Sequence, residues 1–495
     1  MDRAEQEWCF FKENFVDFTD KKIVLYGVGR GTANLVSKND VFEIVGLMDK
    51  DQTNVGIVMY GLPVLSLKEA EKRADMIIIS APETYWRLIY KRIQESKIPV
   101  YFRNGEKAYI KEKQQLTLEM IQEKLEELSV DNLSNEIVNH ITKKLIDKDY
   151  IKKDNYDRLA YNSYFSFGYC LWGPIVYVFC EWLYLMSQKK DIDSLFFLSR
   201  DGYLLQKDYD FFVTKNKLLE APKSKYLLSS RRIAMVASIE SEQDYCEWVK
   251  FPFSGTFSEY MWNRFMIDIE KDEYSKERIQ MPHDNQKVCL WMRKYKKEIR
   301  DSIKRDRDLY RKYVNNMGLS EKSAIVDIGY TGNIQKKLSQ IIEKSLKGFY
   351  FVCDLSRENH CLKNNELYSC FQDEQDYKAN GTCIYRRPQL LESMFTAPYG
   401  MVMTLDENFE KICEKISENQ KYFEEREEIN RGIQAFISDM GHMENVSEQD
   451  IKINRRIVDK MFGVLIENIS FGKKIENIFY WEDIIVQTRE NKMFE

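Results

Sequence analysis

Ala324-Ile-Val-Asp327-Ile-Gly329-Tyr330-Thr331-Gly332-Asn333-Ile-Gln335 joins an apolar run, an acid, a glycine-bearing loop and a helical start in one short stretch. The run reads as a buried strand that delivers Asp327 to its C-terminal end. Asn333 opens a helix. Strand ends of parallel sheets are where ligands bind. The amides after Thr331, backed by a helix dipole, suit a phosphate. Two other stretches follow the same plan. Leu195-Phe-Phe-Leu-Ser199-Arg200-Asp201-Gly202 is a strand ending in a polar turn, and Tyr226-Leu-Leu-Ser229-Ser230-Arg231-Arg232 brings two arginines to the next strand end. With Gly348-Phe-Tyr-Phe-Val352 as a further strand, residues 161–400 read as a central α/β region, interrupted by a helical insertion at about 240–320. Residues 106–160 read as a helical connector and 401–495 as a helical C-terminal region.

Residues 1–105 form a smaller α/β unit. Lys22-Ile-Val-Leu-Tyr26 is a strand followed at once by Gly27-Val-Gly29-Arg-Gly31-Thr32, and a second strand ends at Asp49. That is the setting of a Rossmann-like nucleotide site, in which Gly27 allows the turn, Gly29 lets a diphosphate approach and Asp49 accepts from ribose hydroxyls. Thr32 stands where a third glycine is usual. A bound nucleotide and an empty scaffold both stay open. No dehydrogenase residues follow, so redox chemistry is not expected.

Bulk properties narrow the field. The chain has 495 residues, 31% charged, with a net charge of -5, which gives no reason to expect nucleic-acid binding. Four histidines (His140, His283, His360 and His442) lack metal-site spacing, and the ten cysteines form no C-x-x-C pair. The charged start, Met1-Asp-Arg-Ala-Glu, is unlike a signal peptide, so reduced thiols and a cytoplasmic location are expected. The apolar run from Phe165 to Met186 has membrane-span length but contains Glu181 and Gly173-Pro174, and reads as a buried core helix.

The Asp327-Ile-Gly-Tyr-Thr-Gly332 segment resembles the signature of type I phosphoribosyltransferases, with Asp327 as the second acid and Thr331-Gly332 as the end of the loop. Val326 replaces the first acid and Tyr330 the first hydroxyl residue. Taken with Phe197-Leu-Ser-Arg-Asp-Gly202 and Ser230-Arg-Arg232, residues 161–400 resemble the glycan phosphoribosyltransferases of bacterial surface-polysaccharide biosynthesis. The resemblance implies transfer of 5-phosphoribosyl from phosphoribosyl pyrophosphate to a sugar hydroxyl of a glycan acceptor, with release of pyrophosphate. It implies Mg2+ as cofactor, with no metal ligands assigned. An acceptor carried on lipid would bring the protein to the inner face of the membrane, and a separate phosphatase would remove the 5-phosphate. Ser199, Arg200, Gly202, Arg231 and Arg232 are then expected on the diphosphate, and Asp327, Gly329, Tyr330, Thr331, Gly332 and Asn333 on the ribose 5-phosphate. Asp201 is the first candidate for the catalytic carboxylate and Glu392 the second.

Two rival readings remain. Asp327 with Thr331 has the spacing of a haloacid dehalogenase-like phosphatase, although Gly329 stands where the general acid sits and the D-x-D pair Asp191-Ile-Asp193 precedes its strand. A non-catalytic interaction subunit of a polysaccharide assembly complex is the other.

Overall fold

The computed structural model describes residues 3–108, 116–128, 132–147, 150–154, 157–354, 366–373, 375–376, 381–441, 447–483 and 488–492. His360, His442 and Cys361 lie outside these residues. The chain is α/β and divides into two units, Met1–Gln114 and Gln115–Phe494.

In the first unit β1 (Lys22–Tyr26), β2 (Glu43–Met48), β3 (Met76–Ile79) and β4 (Val100–Phe102) form a parallel sheet in the order β2-β1-β3-β4. Ile23, Val24, Leu25 and the whole of β3 are buried, as near-continuous β-branched and apolar runs must be in a sheet covered on both faces. Helix α1 (Arg30–Lys38) follows the Gly27 turn.

The second unit is built on a five-stranded sheet. Its strands are β5 (Ser194–Leu198), β6 (Lys223–Leu227), β7 (Ser323–Asp327), β8 (Lys347–Tyr350) and β9 (Glu366–Ser369). They lie in the order β6-β5-β7-β8-β9, and every pair is parallel. The strand at Glu366–Ser369 was not foreseen. The insertion is not wholly helical either: Phe253–Thr256 pairs antiparallel with Arg278–Met281. The residues expected as connector and C-terminal region contribute to the core of this unit rather than standing outside it. Ile121 and Leu125 of α2 (Leu118–Glu126) and Ile137 of α3 (Asn132–Ile146) share one apolar cluster with Phe197, Val326, Ile433 and Phe462.

The apolar helix runs through the middle of this cluster. It spans Tyr164–Lys189 and 83% of its most apolar window is buried. Ser163 caps it, a π-helical turn occupies Gly168–Trp172, and α4 (Gly173–Lys189) completes it. Pro174 lies inside this continuous helix, directly after the π-helical turn, where the α-helical hydrogen-bond ladder is already interrupted. This helix crosses α10 (Phe423–Asp439) at very short range. A Cβ on Gly168 would stand 2.0 Å from the Ile429 carbonyl oxygen, and one on Gly432 would stand 2.2 Å from that of Phe165.

Glu181 is fully buried on α4 beside the Tyr177 hydroxyl. Burial pushes its carboxyl up to about 8 from an ordinary 4.5. Between these two pH values the folded chain keeps a proton that the unfolded chain releases, so stability falls as pH rises through this window. Glu181→Gln is expected to remove that slope. Its stability should match the parent at pH 5 and exceed it by roughly 3–5 kcal/mol at pH 8. Denaturation midpoints at both pH values check this, and an equal shift at both contradicts it.

Candidate functional site

The order β6-β5-β7-β8-β9 reverses direction between β5 and β7, since chain order along the sheet is second, first, third, fourth, fifth. Loops leaving the two strands diverge there and open a crevice at the carboxyl edge. A cavity of about 280 Å3 lies at this edge. It is lined by Ser199, Arg200, Asp201, Arg231, Asp327, Gly329, Tyr330, Thr331, Gly332, Asn333 and Glu392, together with Ser229 and Ser230. Residues far apart in sequence thus meet because their strands are neighbours. Asp191 and Asp193 precede β5 and so belong to the opposite edge of the sheet, where Asp191 pairs with Lys322 at 2.8 Å.

The loop after β5 is tied to the loop after β6. Ser199 Oγ donates to the Ser229 carbonyl at 2.5 Å and accepts from the Ser229 N–H at 2.9 Å. Arg200 is held at φ +37°, a left-handed conformation that costs a non-glycine residue about 1–3 kcal/mol. Gly202 does not line the cavity. It is the first residue of α5 (Gly202–Lys215), and a Cβ there would meet the Phe197 backbone at 2.9 Å, so its role is close packing of helix on strand.

The two arginines after β6 part company. Ser230 caps α6 (Arg231–Ala237), accepting from the Ile233 N–H at 3.2 Å. Arg231 faces the cavity, with its guanidinium 5.7 Å from the centre of the Phe251 ring. Arg232, expected on the diphosphate, is instead fully buried away from it. Its Nη1 pairs with Asp306 Oδ2 at 2.9 Å and its Nε donates to the Asn263 carbonyl at 3.1 Å. One residue along a helix turns the side chain by about 100°, enough to carry it from the cavity into the core.

At the end of β7, Asp327 Oδ1 accepts from the Ile328 N–H at 2.9 Å. Val326 points to the other face of the sheet, into the apolar cluster with Phe197 and Phe351, where an acid would be buried without a partner. Gly329 has φ +156° and a Cβ on it would lie 2.7 Å from the Val352 carbonyl oxygen. The Gly329–Tyr330 peptide is cis. Gly332, at φ +65°, caps α8 (Asn333–Ile342), and Asn333 Nδ2 donates to Thr331 Oγ1 at 2.9 Å.

The electrostatics follow from burial. Desolvation pushes the Asp201 carboxyl up to about 6, against the pull of Arg200 and Arg231. Asp327 is pushed well above its ordinary range by burial first, then by the charge of Asp201, with the Ile328 N–H and Arg231 opposing. The same burial raises the Tyr330 phenol well above its ordinary value. Its hydroxyl is buried and makes no hydrogen bond to any described residue. The cavity therefore combines two cations, a glycine-rich loop at a helix start and carboxyl groups that hold protons unusually well.

Sequence reasoning missed one side of the cavity. Gln389, on α9 (Pro388–Met394) with Glu392, lines it, as do Thr396, Asn419 and Tyr480. The i, i+3 spacing of Gln389 and Glu392 was the one available signal; nothing local marks Tyr480. Among the described residues no group of three or more His, Cys, Asp or Glu side chains is arranged to hold a metal ion. A dedicated protein cage for Mg2+ therefore does not fit this site.

In the first unit Gly27 behaves as its motif requires, with φ +129° and Ser80 Oγ 3.2 Å from where a Cβ would be. Thr32 is buried, and its hydroxyl shares a 2.8 Å hydrogen bond with Ser80, which donates in turn to the Tyr26 carbonyl. The departure from glycine thus stitches α1 to the sheet. Gly29 caps α1 with open space around it. Asp49 accepts from Asn54 Nδ2 at 2.5 Å.

The chain matches no protein-family model and no curated protein.

Proposed function

We propose that the second unit transfers 5-phosphoribosyl from phosphoribosyl pyrophosphate to a sugar hydroxyl of a glycan. The observation that carries this reading is the meeting of Arg200, Arg231, Asp327 and the Thr331–Asn333 loop around one cavity at the sheet's switch point. Arginine forks match paired diphosphate oxygens. Amides at the start of α8 suit the 5-phosphate, and Asp327 with Tyr330 reaches the ribose hydroxyls. In this phosphoribosyltransferase-like arrangement the bond from C1 to the diphosphate oxygen breaks and pyrophosphate leaves with the electron pair. The acceptor oxygen forms the new bond to C1. Its proton passes to Asp201, whose carboxyl, raised to about 6, lies close to ambient pH, where a base works best. Arg200 and Arg231 neutralise the departing charge. Magnesium would enter on the diphosphate, whose own oxygens supply most of its ligands, and would add to the charge neutralisation by Arg200 and Arg231.

The phosphatase alternative is less well supported. A nucleophilic carboxylate must be ionised, and everything around Asp327 except Arg231 and one N–H holds its proton on.

Asp327→Ala is expected to weaken binding of phosphoribosyl pyrophosphate by about 10- to 100-fold, the worth of one or two hydrogen bonds from a buried carboxyl. Asp327→Asn, which keeps the shape and replaces a proton-holding carboxyl by an amide, should lose much less. Equal affinity for parent and Asp327→Ala in a calorimetric titration would remove Asp327 from the site.

A further inference from the structure

The cavity has two chemically unlike walls. Arg200, Arg231 and the amides after Thr331 make the strand-end wall electropositive. The other wall comes from α9 and Tyr480, and none of the described lining residues there is a cation. Gln389 and Glu392 lie three residues apart and share a face of α9. The half-buried Gln389 amide makes no hydrogen bond to a described residue, so its donor and acceptor are both available to a ligand. Tyr480 is held in place through its backbone. Asn419 Oδ1 accepts from the Tyr480 N–H at 3.1 Å, and Asn419 Nδ2 donates to its carbonyl at 2.6 Å. The Tyr480 ring stacks on Tyr422 with centres 6.1 Å apart and planes 6° from parallel.

We propose that this wall is the acceptor subsite and that it takes an uncharged sugar; this rests on the phosphoribosyl reading above. An amide that both donates and accepts matches a hydroxyl pair, and an aromatic side chain held beside it suits the apolar C–H patch of a sugar. Glu392, on the same face of α9 as Gln389, places a carboxylate where the carboxylate of an acidic sugar would come to rest. Like charges reject such a partner. Gln389 is then the residue that sets acceptor affinity, and Glu392 the residue that excludes anions.

The test measures pyrophosphate release by the full chain with phosphoribosyl pyrophosphate and magnesium. The acceptor probes are methyl β-D-glucopyranoside and methyl β-D-glucuronide, which differ only at C6. The neutral glycoside is expected to stimulate release at least about 10-fold more than the uronide. Gln389→Ala should raise the KM for the neutral glycoside about 10-fold, with phosphoribosyl pyrophosphate affinity unchanged by calorimetry. Glu392→Gln, confirmed folded by its thermal transition, should narrow the gap between the two glycosides. Equal response to both, or response to neither by protein that binds phosphoribosyl pyrophosphate, overturns the subsite and leaves the donor site standing. A parent chain that does not bind phosphoribosyl pyrophosphate overturns both.

Discussion

Asp201→Asn is expected to lower kcat by about 10²- to 10⁴-fold, the usual contribution of a positioned general base. Donor binding should change little, because the amide keeps the side chain's shape beside Arg200 and Arg231. The pH profile separates this role from a structural one. The base must be ionised to accept the acceptor's proton. Its carboxyl is raised to about 6, so activity should be full above that pH and fall as pH drops through it. The asparagine variant should have lost that acid limb. A variant with the parent's limb and reduced rate places the base elsewhere, with Glu392 next in line.

The adjacent arginines give the second large effect, with opposite signatures. Arg232→Ala removes the fully buried cation from Asp306, itself fully buried, and leaves it only the half-exposed Arg305 at 3.1 Å and Thr404 Oγ1 at 3.0 Å. Removing one partner of a buried ion pair typically costs 3–5 kcal/mol. The expected result is a clear loss of denaturation midpoint. Arg231→Gln, at a partly buried position that lines the cavity, should lower stability by less than Arg232→Ala does. It should weaken phosphoribosyl pyrophosphate binding by about 10- to 100-fold, the value of a charge-assisted hydrogen bond. If Arg231→Gln unfolds the chain and Arg232→Ala only weakens binding, the two assignments are reversed.

That pair also shows where reading a sequence stops. Ser229-Ser-Arg-Arg232 signals a strand end with cations, and both arginines were expected on the ligand. Which one lines the cavity depends on the phase of α6, fixed by Ser230 as its cap and by Asp306, far away in sequence on α7 (Lys296–Met317). The strand-end loops were legible because local chemistry defines them: apolar run, acid, glycine, helix start. Gly202 was misread for a related reason. A glycine beside a polar turn looks like room for a ligand, whereas here the room is taken by Phe197. The Gln389–Tyr480 wall was not legible at all. Tyr480 reaches the cavity through Asn419, which is itself held by Ser393 at 2.9 Å and by buried Arg426 at 2.9 Å. Arg426 also donates to the carbonyls of Ser393 and Ile478, both at 2.8 Å, so one side chain knits three distant segments together. No periodicity announces such a junction. The helices of 118–146 and 423–468 were recognisable as helices, but their share in the central core is decided by packing, as at the Gly168 and Gly432 crossing.

The most direct test of the central claim is a calorimetric titration of the full chain with phosphoribosyl pyrophosphate and magnesium, beside an Arg200→Gln/Arg231→Gln double variant whose thermal transition matches the parent. Saturable one-site binding by the parent that vanishes in the double variant is the predicted result. A folded parent that does not bind, or a double variant that binds equally well, contradicts a phosphoribosyl pyrophosphate site at the ends of β5, β6 and β7.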